Sequence, residues 1–511
     1  MCEDPSPVDR LTPAAAGILA FVCLFPLVVL PANEIGARAV WGAYTCSETV
    51  IVARRRAHSL GGAMNRARSP RLALVVLCAF FITVAAATAL PAAAPANPGD
   101  FLWALPLDPT LDVDSLTDCA RGPDGGVYVC GTQGSPAAAD IWVAKYSQAG
   151  VEEWTRVWPG FDGLNDYAYG IAVDRDGNAF ICGSTGRLPD SRDSVLLKFD
   201  AGGVMQWASI IDPMGLRDGA DAIGLDSAGN VYVTGWSETL ATAVDAYTAR
   251  FNPTDGSLVW TSWYSGPADD VTWGLAVTTA GTSYAAGETG TADGSTDALL
   301  VKTTAGGLQA WAQRWNGPAG RNDDWESVVI GRSERVYVAG DSDYFGACDV
   351  SMARYSKAGA LLWSRTWTTS GSGKDFCEDL AVDRRGNAWV AAFSELASGF
   401  TRGALIKWSK TGVRRFARTI GSAAAPARLN AVTIDAGGWV YVGGSIDNTG
   451  AGGWNLLAAK YTPGGTRTWL SWLDAGGDDA IRGLILGGST SLYAYGRLDG
   501  SNRAVLARIE R

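Results

Sequence analysis

The sequence predicts an all-β fold, an eight-bladed β-propeller, from three observations. A stretch of 20 residues that begins at Asp166, DYAYGIAVDRDGNAFICGST, recurs at intervals of 52 or 53 residues. Each unit contains four short strand-like pieces, and the eighth unit ends after its third piece while one unmatched fourth piece precedes the first unit. A fixed period of this length is typical of a solenoid, a propeller or an array, and four short strands per unit favour the propeller. The units begin at Asp114, Asp166, Asp218, Asp270, Asp323, Asp375, Ala427 and Asp479.

The four pieces of the second unit cover residues 169–173, 179–182, 194–199 and 204–208. Their alternating side chains indicate strands, and Asp176-Gly177 predicts a tight hairpin between the first two. The third piece of every unit carries a basic residue, and the fourth carries an aromatic one. The basic residues are Lys145, Lys198, Arg250, Lys302, Arg354, Lys407, Lys460 and Arg508. The aromatic residues are Trp154, Trp207, Trp260, Trp311, Trp363, Phe416 and Trp469.

The two ends of the chain are expected to share one blade. The unmatched N-terminal piece, FLWALPLD, carries Trp103, and the eighth unit lacks its fourth strand. Pairing of the two ends would remove the exposed sheet edges that an open array leaves. We therefore count seven complete blades and one split blade closed by the N-terminal strand, within residues 95–511.

The repeat resembles the bacterial secreted β-propeller repeat known as SBBP. The resemblance rests on D-x-x-x-G-I-A-V-D-x-x-G-N-x-x-x-x-G at residues 166–183, on the pair Lys198-Phe199 and on Trp207. It covers the chain from about Leu102 to the C-terminus. It implies an extracytoplasmic propeller and supplies no catalytic residues. It also implies seven blades, which is the alternative to the eight counted from the residues.

Residues 1–94 do not follow the repeat. Three arginines precede an apolar run at 72–90, which is followed by small residues and proline. That is the pattern of a secretory signal peptide over residues 64–94, with cleavage near Ala94. Residues 1–63 contain a second apolar run at 14–30 and are either a misassigned extension or a membrane segment with a transmembrane helix. We expect the repeats to be secreted or at the cell surface, or membrane-anchored if residues 1–94 are retained.

Charge and composition exclude several classes of function. The formal net charge of -10 argues against binding of nucleic acid or anionic membranes by the folded part. The single histidine, His58, lies outside the repeats. The repeats therefore contain no histidine metal ligand, no histidine-based catalytic triad and no imidazole acid or base.

Two aspartates recur in the units and could supply oxygen ligands to Ca²⁺. One opens the first strand of every unit except the seventh, where Ala427 stands. The other opens the third strand, at Asp140, Asp193, Asp245, Asp297 and Asp349, with Asn455 in the seventh unit. A residue that recurs in every blade usually serves the architecture. We expect these carboxylates to cap loops or to pair with basic residues, and we predict no metal and no cofactor.

The fourth residue of each first strand differs in almost every unit, and we call these eight the rim residues. They are Thr117, Tyr169, Asp221, Trp273, Glu326, Glu378, Asn430 and Arg482. The residue two places further on is apolar and is expected in the core, on the same strand face as the rim residue. If the first strand is innermost, the rim residues surround the central channel. Tyr169, Asp221, Trp273, Glu326, Glu378, Asn430 and Arg482 are the predicted ligand-binding residues.

Five cysteines lie in the repeats, and an extracytoplasmic location permits disulfides. With Asp124-Gly125 as a two-residue turn, Cys119 and Cys130 would face each other across one hairpin. Cys348 and Cys377 are expected at the same face of neighbouring blades. We predict the bridges Cys348–Cys377 and Cys119–Cys130, and a buried thiol at Cys182.

We expect a non-enzymatic binding or interaction scaffold. Its ligand, an unidentified protein or glycan, would bind on the face that carries the rim and the long variable loops 183–193, 340–349 and 443–455. The alternative is a carbohydrate-active hydrolase or lyase that uses the rim carboxylates Glu326, Glu378 or Asp221. A structural spacer in a larger envelope assembly is a third option. We expect a monomer that meets a membrane only through its N-terminal segment.

Overall fold

The computed structural model describes residues 97–511, apart from 108–112, 136–137, 162, 189–190, 213–215, 240–243, 370–371, 449–452, 475–476 and 499–502. The predicted signal peptide, the extension before it and their boundaries lie outside the described residues. Within the described part the chain forms 32 β-strands and one short 3₁₀-helix, Arg332–Glu334. None of its helices there is long and apolar enough to cross a lipid bilayer.

The strands follow one another in eight blades. Strand β1 is Phe101–Pro106. Blade 1 holds β2 (Val113–Arg121), β3 (Val127–Ser135), β4 (Ala138–Tyr146) and β5 (Glu152–Trp158). Blade 2 holds β6 (Asp166–Val173), β7 (Ala179–Leu188), β8 (Ser191–Phe199) and β9 (Met205–Ile211). Blade 3 holds β10 (Asp218–Leu225), β11 (Val231–Glu238), β12 (Val244–Phe251) and β13 (Leu258–Tyr264). Blade 4 holds β14 (Asp270–Val277), β15 (Ser283–Gly290), β16 (Thr296–Thr303) and β17 (Gln309–Trp315).

The second half of the ring repeats this plan. Blade 5 holds β18 (Ser327–Ile330), β19 (Val336–Ser342), β20 (Asp349–Tyr355) and β21 (Leu361–Trp367). Blade 6 holds β22 (Ser372–Val382), β23 (Ala388–Leu396), β24 (Thr401–Trp408) and β25 (Arg414–Ile420). Blade 7 holds β26 (Ala427–Ile434), β27 (Val440–Ile446), β28 (Asn455–Tyr461) and β29 (Arg467–Leu473). Blade 8 holds β30 (Ala480–Leu486), β31 (Ser491–Leu498) and β32 (Arg503–Glu510), and takes β1 as its fourth strand.

The predicted eight-bladed propeller is confirmed, with eight antiparallel four-stranded sheets. The split blade has the strand order β1-β32-β31-β30, so the N-terminal strand completes the last sheet. Phe101 pairs with Ile509 and Pro106 with Val505 in this antiparallel ladder. Because β1 pairs with β32, blade 8 has a fourth, outer strand like the other seven blades, and the edge of β32 is covered.

The first strand of each blade is innermost, as the rim prediction required. Strands β2, β6, β10, β14, β18, β22, β26 and β30 each contact the first strand of the next blade, and β30 contacts β2. These strands begin at one face of the ring, which also carries the loops between second and third strands. We call it the loop face. The opposite face carries the tight turns between first and second and between third and fourth strands, and we call it the turn face.

The turns of the turn face depend on the repeated sequence V-D-x-x-G-N. In blade 2 the carboxylate of Asp174 accepts hydrogen bonds from the backbone N–H groups of Asp176 and Asn178, at 2.9 and 2.8 Å. The side-chain amide of Asn178 donates to the same carboxylate at 2.7 Å. Gly177 has a φ of 82°, in the left-handed region that glycine adopts without strain. The repeated aspartate, glycine and asparagine therefore build the turn.

The recurrent aromatic and basic residues join neighbouring blades on the turn face. The indole N–H of Trp363 in β21 donates to the carbonyl of Lys410, in the turn between β24 and β25 of the next blade, at 3.1 Å. The guanidinium of Arg354 donates to the same carbonyl. Lys302 and Trp311 share the carbonyl of Lys357 in the same way, at 2.9 and 3.1 Å. These residue types thus serve the architecture of the ring.

The core lies between the blades. Each hydrophobic cluster combines strands of two neighbouring blades, as where Trp154 and Val143 of blade 1 pack with Ile171 and Leu197 of blade 2. A similar cluster joins blade 8 to blade 1 through Tyr493, Leu506 and Val129. A blade therefore depends on its neighbours for burial of its two faces, as expected of repeat architectures.

The predicted disulfide Cys119–Cys130 is wrong, because the hairpin register differs by one residue. The loop between β2 and β3 has five residues, and a hydrogen bond from the N–H of Gly122 to the carbonyl of Gly126 leaves a three-residue turn between them. Cys119 therefore pairs with Val129, and Cys130 pairs with Asp118. A shift of one residue sends a side chain to the opposite sheet face. Cys119 packs between blades 8 and 1, and Cys130 packs between blades 1 and 2.

The predicted bridge Cys348–Cys377 is also absent, and all five cysteines of the described residues are buried free thiols. Cys348 lies beside the start of blade 6 as expected, but its thiol donates to the carbonyl of Asp375 at 3.2 Å. Cys377 is packed in the cluster that joins blades 5 and 6. Cys182 is buried, as predicted.

Candidate functional site

A β-bulge occurs at the rim position of the innermost strands. In β6 the register shifts between Ala168 and Gly170, so Tyr169 is the extra residue. In blade 5 the bridge Asp323–Ser342 and the pair Ser327–Ala339 enclose the same shift around Glu326. The remaining rim residues, Thr117, Asp221, Trp273, Glu378, Asn430 and Arg482, are the extra residues of their strands.

The bulge corrects one detail of the sequence prediction. Strict alternation would place Tyr169 and Ile171 on the same strand face. Because Tyr169 is inserted, Ala168 and Ile171 instead share the face that packs into the core between blades 1 and 2. A bulge redirects a side chain without breaking the sheet. Each rim residue is thereby separated from the core and presented at the inner wall of the ring.

Three rim residues use their polar groups within the protein. The hydroxyl of Tyr169 lies 3.0 Å from that of Ser184. The side-chain amide of Asn430 donates to the carbonyl of Ile481 in the next blade at 2.8 Å. The hydroxyl of Thr117 donates to the carbonyl of Cys130 at 3.3 Å. These groups are positioned by the scaffold.

Other rim residues present polar groups toward the channel. The side chains of Glu326, Glu378 and Arg482 are exposed, and no hydrogen bond or ion pair to them occurs among the described residues. The buried indole N–H of Trp273 likewise has no acceptor. Burial raises the pKa of Asp221 to about 7, and the nearby charge of Arg192 opposes the shift. The channel wall thus offers carboxylates and one guanidinium to a ligand.

Acidic groups are concentrated on the side of the channel formed by blades 4, 5 and 6. Desolvation by the surrounding channel wall raises the pKa of Glu326, and the charge of Glu288 adds to the shift. Desolvation by the surrounding wall, followed by the charge of Glu326, raises the pKa of Glu378 to about 7, while Arg428 and Arg482 oppose it. Because the side chain of Glu378 is exposed to solvent, channel water moderates this desolvation.

Two buried aspartates stand behind these glutamates and were missed by the sequence analysis. Asp324 accepts the backbone N–H of Asp341 at 2.9 Å, and Asp341 accepts that of Cys377 at 2.7 Å. Burial raises the pKa of Asp341 to about 8, with the charges of Glu326 and Glu378 contributing. Burial also raises the pKa of Asp324 well above its usual range.

The sequence does indicate part of this acidic group, at a second position that varies from blade to blade and lies in the second strand. The residue after the conserved glycine of the second strand is Thr132, Ser184, Trp236, Glu288, Asp341, Ser445 or Arg497, with Phe393 where alanine replaces the glycine. Only blades 4 and 5 place a carboxylate there. Glu288 accepts a hydrogen bond from the hydroxyl of Tyr344 at 2.8 Å. The acidic side of the channel therefore draws on two strands of each blade.

Comparison with known proteins matches one repeat to a family model and finds solved structures with a similar fold. Residues 160–186 match the family model described as SBBP, beta-propeller repeat. No curated protein matches the sequence. Quinohemoprotein alcohol dehydrogenase from Comamonas testosteroni has 11% identity and a TM-score of 0.51, over 80% of this chain and 76% of its own. Sqt1 from Chaetomium thermophilum has 11% identity and a TM-score of 0.52, over 81% of this chain and 100% of its own.

These two similarities to solved structures are at the level of the fold alone. The repeat match falls in blade 2, from the connection before β6 into β7. The same turn, aspartate and aromatic positions recur around the ring. The chain is thus an eight-bladed β-propeller whose blade 2 carries an SBBP-type repeat, and the recurrence of that pattern supports an SBBP-type propeller.

Proposed function

We propose that the protein is a non-enzymatic binding propeller that holds its ligand at the channel rim on the loop face. The observation that carries this proposal is the bulge at the rim position. The scaffold repeats the bulge around the ring, yet the side chain it presents differs in almost every blade. A constant backbone device with a variable side chain is what a recognition surface on a rigid scaffold requires.

The charge and hydrogen-bonding capacity of the rim favour a ligand rich in donors. Glu326 and Glu378 can accept hydrogen bonds from hydroxyl or ammonium groups, and Trp273 offers its half-buried ring. Few convergent polar groups beside an aromatic ring are typical of ligand sites. A glycan or a basic segment of a partner protein fits this chemistry. Arg428 and Arg482, in the adjoining blades 7 and 8, would bind an anionic group of the same ligand.

Substitution of Trp273 tests the proposal. Binding would be screened on glycan and peptide arrays and then measured by titration with the best probe. We expect Trp273→Ala to weaken that probe by at least about tenfold, since buried aromatic contacts dominate binding energy. The control is Trp472→Ala, because Trp472 is an exposed tryptophan of the outer strand β29. Equal affinities of the two variants for the probe would refute the rim as the binding site.

A carbohydrate-active hydrolase or lyase is the second candidate. Its support is that Glu378 has a pKa raised to about 7 beside a second glutamate, Glu326. A carboxyl group with such a pKa can act as a general acid near neutral pH, and glycoside cleavage uses two carboxyl groups. An enzyme of this kind would lose turnover in Glu378→Gln while it keeps its fold and its substrate affinity. Absence of turnover by the wild type on every bound glycan would exclude it.

The extracytoplasmic location stays part of the proposal. Its support is the signal-peptide pattern of residues 64–94, with its arginines, apolar run and small residues. N-terminal sequencing of the protein recovered from the producing cell is the test. A mature N-terminus near Ala94 is expected for a secreted protein. Recovery of an uncleaved chain in the cytoplasmic fraction would contradict it.

A further inference from the structure

The connection before blade 3 differs from those before blades 4, 5 and 6. In these three blades the aspartate that opens the first strand accepts a backbone N–H from the loop before it, as Asp323 does from Gly317 at 2.6 Å and Asp375 from Thr369 at 2.8 Å. Asp270 accepts the N–H of Gly266 in the same way. These bonds confirm the capping role expected from the sequence.

Asp218, at the same position of blade 3, has no such cap from the described residues. It is only 1% exposed, and neither oxygen of its carboxylate accepts a hydrogen bond. The Ser237 hydroxyl lies beside it and lowers its pKa, yet burial and the charges of Asp212 and Asp193 raise that pKa to about 7. A buried carboxylate without a proper donor is costly unless a proton or a cation neutralises it.

Two further carboxylates meet Asp218 at this point. Asp193 opens the third strand region of blade 2 and is 3% exposed, while Asp212 follows β9 and is exposed. One oxygen of each of the three lies within 4.8 Å of the others. Asp193 also forms an ion pair with the Nε of Arg187 at 3.2 Å.

We propose that Asp193, Asp212 and Asp218 bind a Ca²⁺ ion between blades 2 and 3. Ca²⁺ takes oxygen ligands in a flexible shell that water can complete, and carboxylates suit it better than they suit a softer metal. The two buried aspartates would supply the inner side of the shell. The exposed Asp212 would close it from solvent. The ion would replace the missing cap of Asp218 and join the two blades.

The sequence pattern of the ring supports a single site. The residue after the outer strand is Asp212 here, and Pro159, Ser265, Asn316, Thr368, Gly421 or Asp474 in the other complete blades. Asp474 follows the outer strand of blade 7, and in that blade Asn455 replaces the third-strand aspartate. Only the connection between blades 2 and 3 therefore combines three aspartates, and it is the one such acidic group found among the described residues.

Two substitutions with opposite effects test the site. Ca²⁺ binding to the full-length protein, freed of metal with a chelator, would be measured by calorimetric titration. Asp212→Asn removes a ligand charge and is expected to weaken binding at least about tenfold. Arg187→Gln removes the competing cation and is expected to tighten binding. Both residues are exposed, so neither change threatens the core.

Asp474→Asn is the matched control, because it alters the equivalent exposed position at another connection. It is expected to leave Ca²⁺ affinity unchanged. A second readout is the melting temperature, which should rise with Ca²⁺ in the wild type and not in Asp212→Asn, since a ligand of the folded state stabilises it. The proposal is overturned if the wild type takes up no Ca²⁺ at millimolar concentration. It is equally overturned if Asp212→Asn and Asp474→Asn bind Ca²⁺ alike.

Discussion

Individual carboxylates decide most of what is particular to this propeller. Asp341 and Asp324 are buried beside each other at the channel, and each accepts one backbone N–H. The hydrogen bonds stabilise a charged carboxylate, but desolvation outweighs them and raises both pKa values. Glu326 and Glu378 nearby oppose ionisation further. Full ionisation of these four carboxyl groups would therefore place mutually repelling negative charges close together.

The pH dependence of stability follows from Asp341. Its pKa in the folded protein is about 8, above the value of about 3.9 in an unfolded chain, so the folded state binds more protons between these values. The stabilisation is complete below about pH 4 and is lost as the pH rises through 8. We expect Asp341→Asn, which keeps an oxygen acceptor for the N–H of Cys377, to flatten this decline. At pH 8 it should gain on the order of 1–3 kcal/mol in the free energy of unfolding.

Urea denaturation of both proteins at pH 5 and pH 8 measures this effect. Asp293→Asn is a suitable control, because Asp293 is exposed and hydrogen bonds lower its pKa to about 2, so it stays ionised over this range. The control should leave the pH dependence unchanged. Parallel pH dependences of the wild type and Asp341→Asn would show that Asp341 is ionised in the folded protein.

At the scale of strands and turns, the sequence predicts where strands occur better than it predicts which residues pair across them. Alternation and the recurring turn sequence locate the strands of blade 2 because both signals are local. The three-residue turn at Asp124 shifts the register by one residue and separates Cys119 from Cys130. The bulge at Tyr169 likewise leaves no mark in the apolar pattern. Both depend on backbone geometry, which many residue types can adopt, so composition alone does not reveal them.

Inter-blade packing on the turn face explains the glycines that recur in the turns between third and fourth strands. Gly412 has a φ of 78°, and an added Cβ would lie 2.8 and 2.9 Å from ring carbons of Trp363 in the preceding blade. Gly412→Ala should therefore combine backbone strain with a clash and destabilise the protein by about 2–4 kcal/mol. Thermal or chemical denaturation measures the change.

Gly229→Ala separates the two causes. Gly229 has a φ of 81° but nothing within 4 Å of an added Cβ. Its replacement by alanine should cost about 1 kcal/mol from strain alone. If the two variants lose the same stability, the contact between Gly412 and Trp363 contributes nothing and the inter-blade packing argument is incorrect.

For the whole molecule, counting repeats was sufficient to predict the closed ring. The interval of 52 or 53 residues, the truncated eighth unit and Trp103 in the unmatched piece together specify eight blades with a split blade. The uneven distribution of acidic groups around the channel could be seen only in the structure, because Glu288 and Asp341 reach the channel from second strands. The Ca²⁺ proposal needed it as well, since Asp193 and Asp218 belong to different blades.

The last prediction concerns the strand that closes the ring. Strand β1 covers the edge of β32, and Trp103 adds contacts to blade 1 and blade 8. Its indole donates to the carbonyl of Gln148 at 3.3 Å, and its ring centre lies 6.0 Å from that of Tyr493. A chain that begins at Leu107 would expose β32 and leave the core between blades 8 and 1 incomplete.

We expect the chain that begins at Leu107 to unfold at a lower temperature and to self-associate, whereas a chain that begins at Asn97 should stay a monomer with full stability. Melting curves and light scattering of the two chains at equal concentration provide the comparison. Identical behaviour would mean that three strands suffice for blade 8 and that β1 does not hold the ring closed.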